Sequence, residues 1–227
     1  MSEAPNTRAA LMAEMLKAEL FNQGLHRAEC KRFKQIYPQV SGLKLNLGCG
    51  PKVKEGWCNA DLHSRDADFR LDLREDWPFA TGSASVIYSE HFFEHLDYPV
   101  EMSHYLREAL RVLEVGGVLH IGVPGTAWLM HSYGDPSSDY WRLAKTIWHP
   151  KSCQTQMHHI NYHFRQEGEH KYAWDEETLI YEIRAHGFAD PVLRDWDDAL
   201  DSEDRRINTI YVMAYKPDKE DADSLRE

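Results

Sequence analysis

Leu43-Lys44-Leu45-Asn46-Leu47-Gly48-Cys49-Gly50 reads as an alternating apolar strand that runs directly into a Gly-x-Gly bend. Apolar residues at 43, 45 and 47 recur with the period of two that a pleated strand demands. Glycines at 48 and 50 permit backbone conformations closed to other residues and let a ligand approach the main chain. Two acidic positions follow, Asp61 and Asp72, each ending its own apolar-flanked segment. A carboxylate at the end of the next strand is suited to accept both hydroxyls of a ribose. The bend lacks the third glycine of Gly-x-Gly-x-x-Gly, since Pro51, Lys52 and Val53 follow. It also lacks the Gly-Lys-Ser/Thr of a phosphate cradle. A nucleoside without phosphates fits this sequence better than a dinucleotide or ATP.

The chain has 227 residues, enough for one α/β domain with a sizeable core. Hydrophobic residues make up 42% and charged residues 28%, the composition of an ordinary globular protein. Lys and Arg number 26 against 37 Asp and Glu, a formal net charge of −11, with no basic run. Nucleic acid is therefore not an expected partner. No apolar run approaches the ~20 residues of a membrane span, so no membrane association is expected. Cys30, Cys49, Cys58 and Cys153 show no paired spacing and follow no secretory segment. They read as reduced thiols of a cytoplasmic protein, with Cys49 a small residue tolerated in a tight turn.

Residues 1–42 form an N-terminal helical extension, frayed over 1–6. Leu11, Met12, Met15, Leu16 and Leu20 recur at helical spacing from Thr7 to Phe21, and a second helix runs from Leu25 to Tyr37, stopped by Pro38. The methionine-bearing stripe suits core packing, a lid or a homodimer. The main domain spans 43–216, with strands expected at 43–47, 57–61, 68–72, 85–89 and 117–123. The helix Val100–Leu113 buries Met102, Leu106, Leu110 and Leu113 and closes on Gly116-Gly117 in the glycine C-cap pattern. Asp175 is a good N-cap, flanked by the hydrophobic staple of Trp174 and Leu179, and that helix ends at Gly187. Segments 189–196 and 208–216 are expected to pair as an antiparallel hairpin at the sheet edge. Residues 217–227 are charged and read as a disordered tail.

Taken together, Leu45-Asn46-Leu47-Gly48-Cys49-Gly50, Asp61, Asp72-Leu73, Val86-Ile87-Tyr88-Ser89-Glu90-His91 and Arg111-Val112-Leu113-Glu114-Val115-Gly116-Gly117-Val118-Leu119 resemble the class I S-adenosylmethionine-dependent methyltransferases over about residues 43–124. The resemblance implies an α/β, Rossmann-like sheet, mostly parallel with a C-terminal antiparallel hairpin, and S-adenosylmethionine as cofactor. It assigns Leu47, Gly48, Cys49 and Gly50 to the methionine and ribose portion, Asp61 with Leu62 to the ribose hydroxyls, and Asp72 with Leu73 to the adenine. Ser89, Glu90 and His91 would face the methionine end and the transferring methyl. One departure stands out. Between Gly50 and Trp57 lie only six residues, Pro51 to Gly56, where the family usually has a full helix. Parallel neighbours ordinarily need a crossover of a dozen or more residues. Gly-x-Gly-Pro followed by Gly-Trp-x-Asn-x-Asp resembles a subgroup of small methyltransferases associated with glycan and other small-molecule biosynthesis.

Methyl transfer from a sulfonium is an in-line displacement, so alignment carries most of the catalysis. A base is needed when the acceptor is a hydroxyl. Ser89 to His95 supplies two histidines and two acids at the end of the fourth strand, and the Asp/Asn-Pro-Pro-Tyr signature of many N-methyltransferases is absent there. O-methylation of a sugar or other small hydroxyl metabolite is the expectation, with His91 as base and His163 as second candidate. His95, after Glu94 at a helix start, reads as more structural. Residues 125–172 hold Trp128, Tyr133, Tyr140, Trp141, Trp148, Tyr162, Phe164 and Tyr172 with six histidines, and read as a substrate lid. His95, Arg142, Tyr162 and Arg165 are the candidate acceptor contacts. His159 and His163, with Glu167 or His170, have metal-ligand spacing, but lid histidines bonded to backbone are commoner, and no metal is assigned. N-methylation of a small amine, and a cofactor-binding partner subunit without activity, are the alternatives.

Overall fold

The computed structural model describes residues 7–218, and the expectations for 1–6 and for the tail beyond 218 lie outside the described residues. Strands β1 (Leu43–Leu47), β2 (Cys58–Ala60), β3 (Ala84–Glu90), β4 (Leu113–Pro124), β5 (Ala189–Arg194) and β6 (Thr209–Tyr215) form one sheet in the order β2-β1-β3-β4-β6-β5. The first four run parallel, while β6 pairs antiparallel with β4 and with the edge strand β5. This is the mostly parallel, Rossmann-like sheet with a C-terminal antiparallel pair that the resemblance implied. Leu45, Leu47, Ile87, Leu119 and Ile121 are fully buried on it.

The short β1–β2 crossover is held by two buried asparagines. Asn46 Nδ2 donates to Asn59 Oδ1 at 2.8 Å and to the Lys52 carbonyl at 2.9 Å. Asn59 Oδ1 also accepts from Lys54 N at 2.7 Å, and its amide donates to the carbonyls of Lys54 and Trp57. Side chains thus satisfy backbone groups that a crossover helix would satisfy internally.

Three expectations are corrected. Residues 68–72 form no strand: Phe69 makes a single bridge to Ala60, and burial does not alternate, since Leu71, Asp72 and Leu73 are all buried. Asp68 Oδ2 takes the Asn59 N–H that a longer ladder would need. The two N-terminal helices are one continuous helix, α1 (Arg8–Ile36), because Gly24 is tolerated within it at about 1 kcal/mol relative to Ala. Gly116 and Gly117 do not cap the helix α2 (Val100–Val112). The chain enters β4 directly at Leu113, and Gly116 bends at φ +75° to donate its N–H to Lys216 O.

Between β4 and the helix α6 (Glu176–Ala185) lie α3 (Ala127–Ser132), α4 (Asp139–Leu143), a π-helical turn (Ala144–Trp148) and α5 (Gln156–Arg165). They enclose a core of their own, built from Leu129, Tyr140, Trp141 and Ala144 and flanked by Trp128, Trp148, Ile160 and Phe164. Asp175 caps α6 as expected, accepting from Thr178 N at 2.8 Å, and Gly187 turns the chain at φ +91°. No described helix is long and apolar enough to cross a membrane.

In α1, His26 and Phe33 are buried, while Leu11, Met12, Met15, Leu16, Leu20 and Phe21 are each at least 51% exposed. The stripe read as possible core packing faces outward. Phe33 packs edge-on against Phe69 and Phe79 at 5.2 and 4.9 Å between ring centres, which fixes the helix to the domain. Phe33→Ala is expected to cost about 3–5 kcal/mol, read as a lower urea midpoint with early proteolysis within α1. A midpoint within experimental error of wild type would mean that α1 is not anchored there.

Candidate functional site

A cleft of about 950 Å³ opens at the C-terminal end of β1. Gly48, Gly50, Asp61, Leu62, Asp72, Leu73, His91 and His95, all expected from the sequence, line it. Gly48 stands at φ +68° with the Phe92 ring packed where its Cβ would be, 2.2 Å from the nearest ring atom. No side chain larger than hydrogen fits that position. Asp61 follows β2, and its two oxygens gather three N–H groups: Gly50 at 2.9 Å on Oδ2, with His63 and Ser64 at 2.8 and 2.7 Å on Oδ1. The glycine bend and the carboxylate are therefore locked to one another. Cys49 lies buried beside them, and burial first, then the charge of Asp61, pushes its thiol up to about 12, so it is no nucleophile at neutral pH.

Asp72 is buried, and both its oxygens are held by Arg74, at 2.9 Å from Nε and 2.6 Å from Nη2. Burial raises the carboxyl, but the Arg74 hydrogen bonds and charge outweigh it and leave the pKa below the usual range. Arg74 also binds Glu19 of α1, and Met15, Glu19 and Asn22 complete the wall on that side. These α1 residues were not read as site residues, because their spacing signals a helix and not the face it turns to the cleft.

A second cavity of about 360 Å³ adjoins the first. His91, Trp148, His149, Tyr162, His163, His170 and Arg205 are among its lining residues, and His91 and Arg205 border both spaces. His91 sits at φ +53°, a strained conformation for a side-chain-bearing residue. It is pinned there by its N–H to the Gly122 carbonyl at 2.8 Å and by Nε2 to Thr209 Oγ1 at 2.8 Å. Burial, with Arg205, His170 and His95 nearby, holds its pKa well below 6.5. His163 Nδ1 meets Tyr140 Oη at 3.2 Å, and burial lowers it to about 4. His163 Nε2 is buried, with no hydrogen-bond partner among the described residues.

Other expected residues fall elsewhere. Ser89 is buried in the core, and Glu90 is engaged by Ser202, Tyr211 and Arg205, so both support the site from behind. His95 lies in a 3₁₀ turn, Phe93–His95, before α2 begins. Arg142 is exposed and paired with Asp139 at 3.0 Å. Arg165 lines a separate shallow cavity with Tyr162. His159 does not meet His163: its Nδ1 lies 2.9 Å from His149 Nδ1. Arg205 was missed because Glu203-Asp204-Arg205-Arg206 reads as a solvated charge run. A larger cavity of about 1140 Å³, walled by Phe33, Tyr37, Trp77 and Arg111, contains none of the expected residues.

Residues 45–121 match the model of a family described as a methyltransferase domain. No curated protein matches the chain. Among solved structures it is similar to a SAM-dependent methyltransferase from Archaeoglobus fulgidus, 18% identical over 88% of this chain and 99% of that one, with a TM-score of 0.48. A possible histamine N-methyltransferase from Thermotoga maritima is 14% identical over 90% and 95%, TM-score 0.46. The CurJ carbon methyltransferase is 13% identical, TM-score 0.45, over 87% of this chain, which spans 54% of its length. With the glycine bend and the strand-end carboxylate in place, the chain carries a methyltransferase domain over residues 45–121. It is an enzyme of methyl transfer, and its cofactor is S-adenosylmethionine.

Burial lowers His120 to about 4, with Arg194 adding to the effect, and lowers His149 to about 3, with His163 and His159 adding. Both are neutral in the fold, whereas an unfolded histidine titrates near 6.5. Their contribution to stability is whole above pH 6.5 and is lost as pH falls toward 4, because the unfolded chain takes up the protons first. The melting temperature is expected to drop across that window, and less steeply in His120→Asn. An equal slope in the variant would show that His120 takes no part.

Proposed function

We propose that this methyltransferase carries the methyl group of S-adenosylmethionine to a hydroxyl of a small molecule, in the cytoplasm, as its unpaired cysteines suggest. The cofactor would occupy the cleft at the end of β1, and the acceptor the histidine-lined cavity beside it. The observation that carries this reading is their shared wall of His91 and Arg205.

The residues present suit the cofactor. A Cβ on Gly50 would meet nothing within 4 Å, so the backbone opens directly onto the cleft. Oδ2 of Asp61 holds one donor and keeps acceptor capacity for a ribose hydroxyl. Leu47, Cys49 and Leu62 flank this contact, and Asp72 with Leu73 marks the adenine end. Bound there, the cofactor supplies an electrophilic methyl on a sulfonium. The chain's own residues align the acceptor and take its proton. Thr209 Oγ1 donates to the Arg205 carbonyl at 2.6 Å, so it accepts from His91 Nε2, which leaves the lone pair on Nδ1. That nitrogen is the proposed base, ready in neutral form because burial suppresses its protonation. Tyr162, His163 and Arg205 are the proposed acceptor contacts, and residues 125–172 the lid that excludes water from the reaction.

Asp61→Ala is expected to weaken binding of S-adenosylhomocysteine by about 1.5–3 kcal/mol, the range for a hydrogen bond to a charged group. Calorimetry giving an unchanged affinity would show that the ribose carboxylate lies elsewhere. His91→Ala is expected to lower turnover by roughly 10²–10⁴-fold with little change in cofactor affinity. With His91 held neutral, wild-type turnover should stay flat through pH 6.5 instead of rising there. A variant keeping a third or more of wild-type turnover would make His91 a wall of the pocket and favour an acceptor that needs no base, such as an amine.

A further inference from the structure

Glu94 sits in the 3₁₀ turn Phe93–His95, 2% exposed, and among the described residues neither of its carboxylate oxygens has a hydrogen-bond partner. A buried carboxylate left so is costly unless something on the structure compensates it. Two imidazole nitrogens face it, His95 Nε2 and His170 Nε2, each 3.9 Å from Oε1, too far for a hydrogen bond. The tautomers follow from the other ring nitrogens. His95 Nδ1 lies 3.0 Å from the Glu169 carbonyl, and His170 Nδ1 lies 2.9 Å from the His163 carbonyl. A carbonyl can only accept, so both Nδ1 atoms carry the proton and both Nε2 atoms carry lone pairs. When the Glu94 carboxyl is ionised, three acceptors converge with no donor among them, and burial opposes that charge by pushing the carboxyl up to about 8.

A cation resolves this arrangement, and we propose that Glu94, His95 and His170 bind a divalent transition metal ion of the zinc or iron(II) kind. One carboxylate and two neutral imidazoles, each imidazole oriented by a carbonyl on its far nitrogen, make the ligand set such ions take when positions are left open for water or substrate. Metal–ligand bonds of about 2.0–2.1 Å would put the ligand atoms about 3–3.4 Å apart, so each imidazole nitrogen, now 3.9 Å from Oε1, needs to approach it by about 0.5–0.9 Å. The chain has fastened them already: Lys171 N and Tyr172 N both donate to the Glu94 carbonyl, at 2.8 and 3.2 Å. His95 lines the first cleft and His170 the second, so the ion lies at their boundary. If the O-methylation reading holds, it can grip the acceptor's oxygen there. The cluster of His149, Cys153 and His159 differs, since His149 and His159 already satisfy one another through their Nδ1 atoms.

The full chain, stripped with a chelator and dialysed, is titrated with zinc sulfate alone by calorimetry, and its melting temperature is followed with and without zinc. One ion per chain is expected, with a rise in melting temperature. Glu94→Gln and His170→Asn should each weaken zinc binding at least tenfold and abolish the rise, while Cys153→Ser leaves both unchanged. S-adenosylhomocysteine affinity, measured on the same preparations, reports whether the cofactor cleft is intact and keeps a failure of the metal site separate from a failure of the methyltransferase reading. No zinc binding, or binding that survives Glu94→Gln and disappears in Cys153→Ser, would overturn the proposal.

Discussion

A loop of six residues cannot satisfy its own backbone groups as a crossover helix does, so the β1–β2 connection depends on side chains reaching in from the strands. Asn46 and Asn59 sit opposite one another in the β1–β2 ladder and hold the loop through its Lys52, Lys54 and Trp57 backbone. Because each stands two residues before Gly48 or Asp61, their pairing also sets where glycine bend and carboxylate face each other. Asp61 then closes the arrangement by taking the Gly50 N–H. A leucine at Asn59 would strip a partner from the Lys54 N–H and from the Lys54 and Trp57 carbonyls at once, at about 1–3 kcal/mol for each one left unsatisfied.

Behind the site, an acidic chain spends its arginines as clamps on buried acids. Arg194 grips Asp201 with two bonds of 2.6 Å, and Arg205 joins Glu90, whose oxygens also hold Ser202 and Tyr211. Such bidentate and networked contacts are worth more than surface pairs such as Lys17–Glu14. Their effect on the site is positional: the Arg205 carbonyl receives Thr209, and Thr209 sets the His91 ring. Glu90, read as a cofactor contact, acts through that chain of bonds.

Period and punctuation made most of the sheet legible. Alternation at 43–47, the helical repeat of Met102, Leu106 and Leu110, and the Asp175 cap each mark an element that the structure contains. Where the reading failed, side chains outcompeted backbone. Asp68 claimed an amide needed for a strand at 68–72, and packing at His26 and Phe33 carried α1 through Gly24. The glycine bend and Asp61 were legible because a close approach and a strand end leave local marks. Arg205, Glu19 and the meeting of Glu94 with His170 were not, since they join residues far apart in the chain whose local sequence looks like an ordinary charged surface.

Helix α1 is held at its C-terminal half by Phe33 and His26, whose Nδ1 accepts from Asp72 N, while its N-terminal half contributes Met15, Glu19 and Asn22 to the cleft. Buried apolar contact is what protects a helix from local opening, and residues 8–21 have little of it. This side of the cleft wall therefore belongs to a stretch with little buried apolar contact. A change in how residues 8–21 are held therefore reaches that wall without touching the strands that carry the glycine bend.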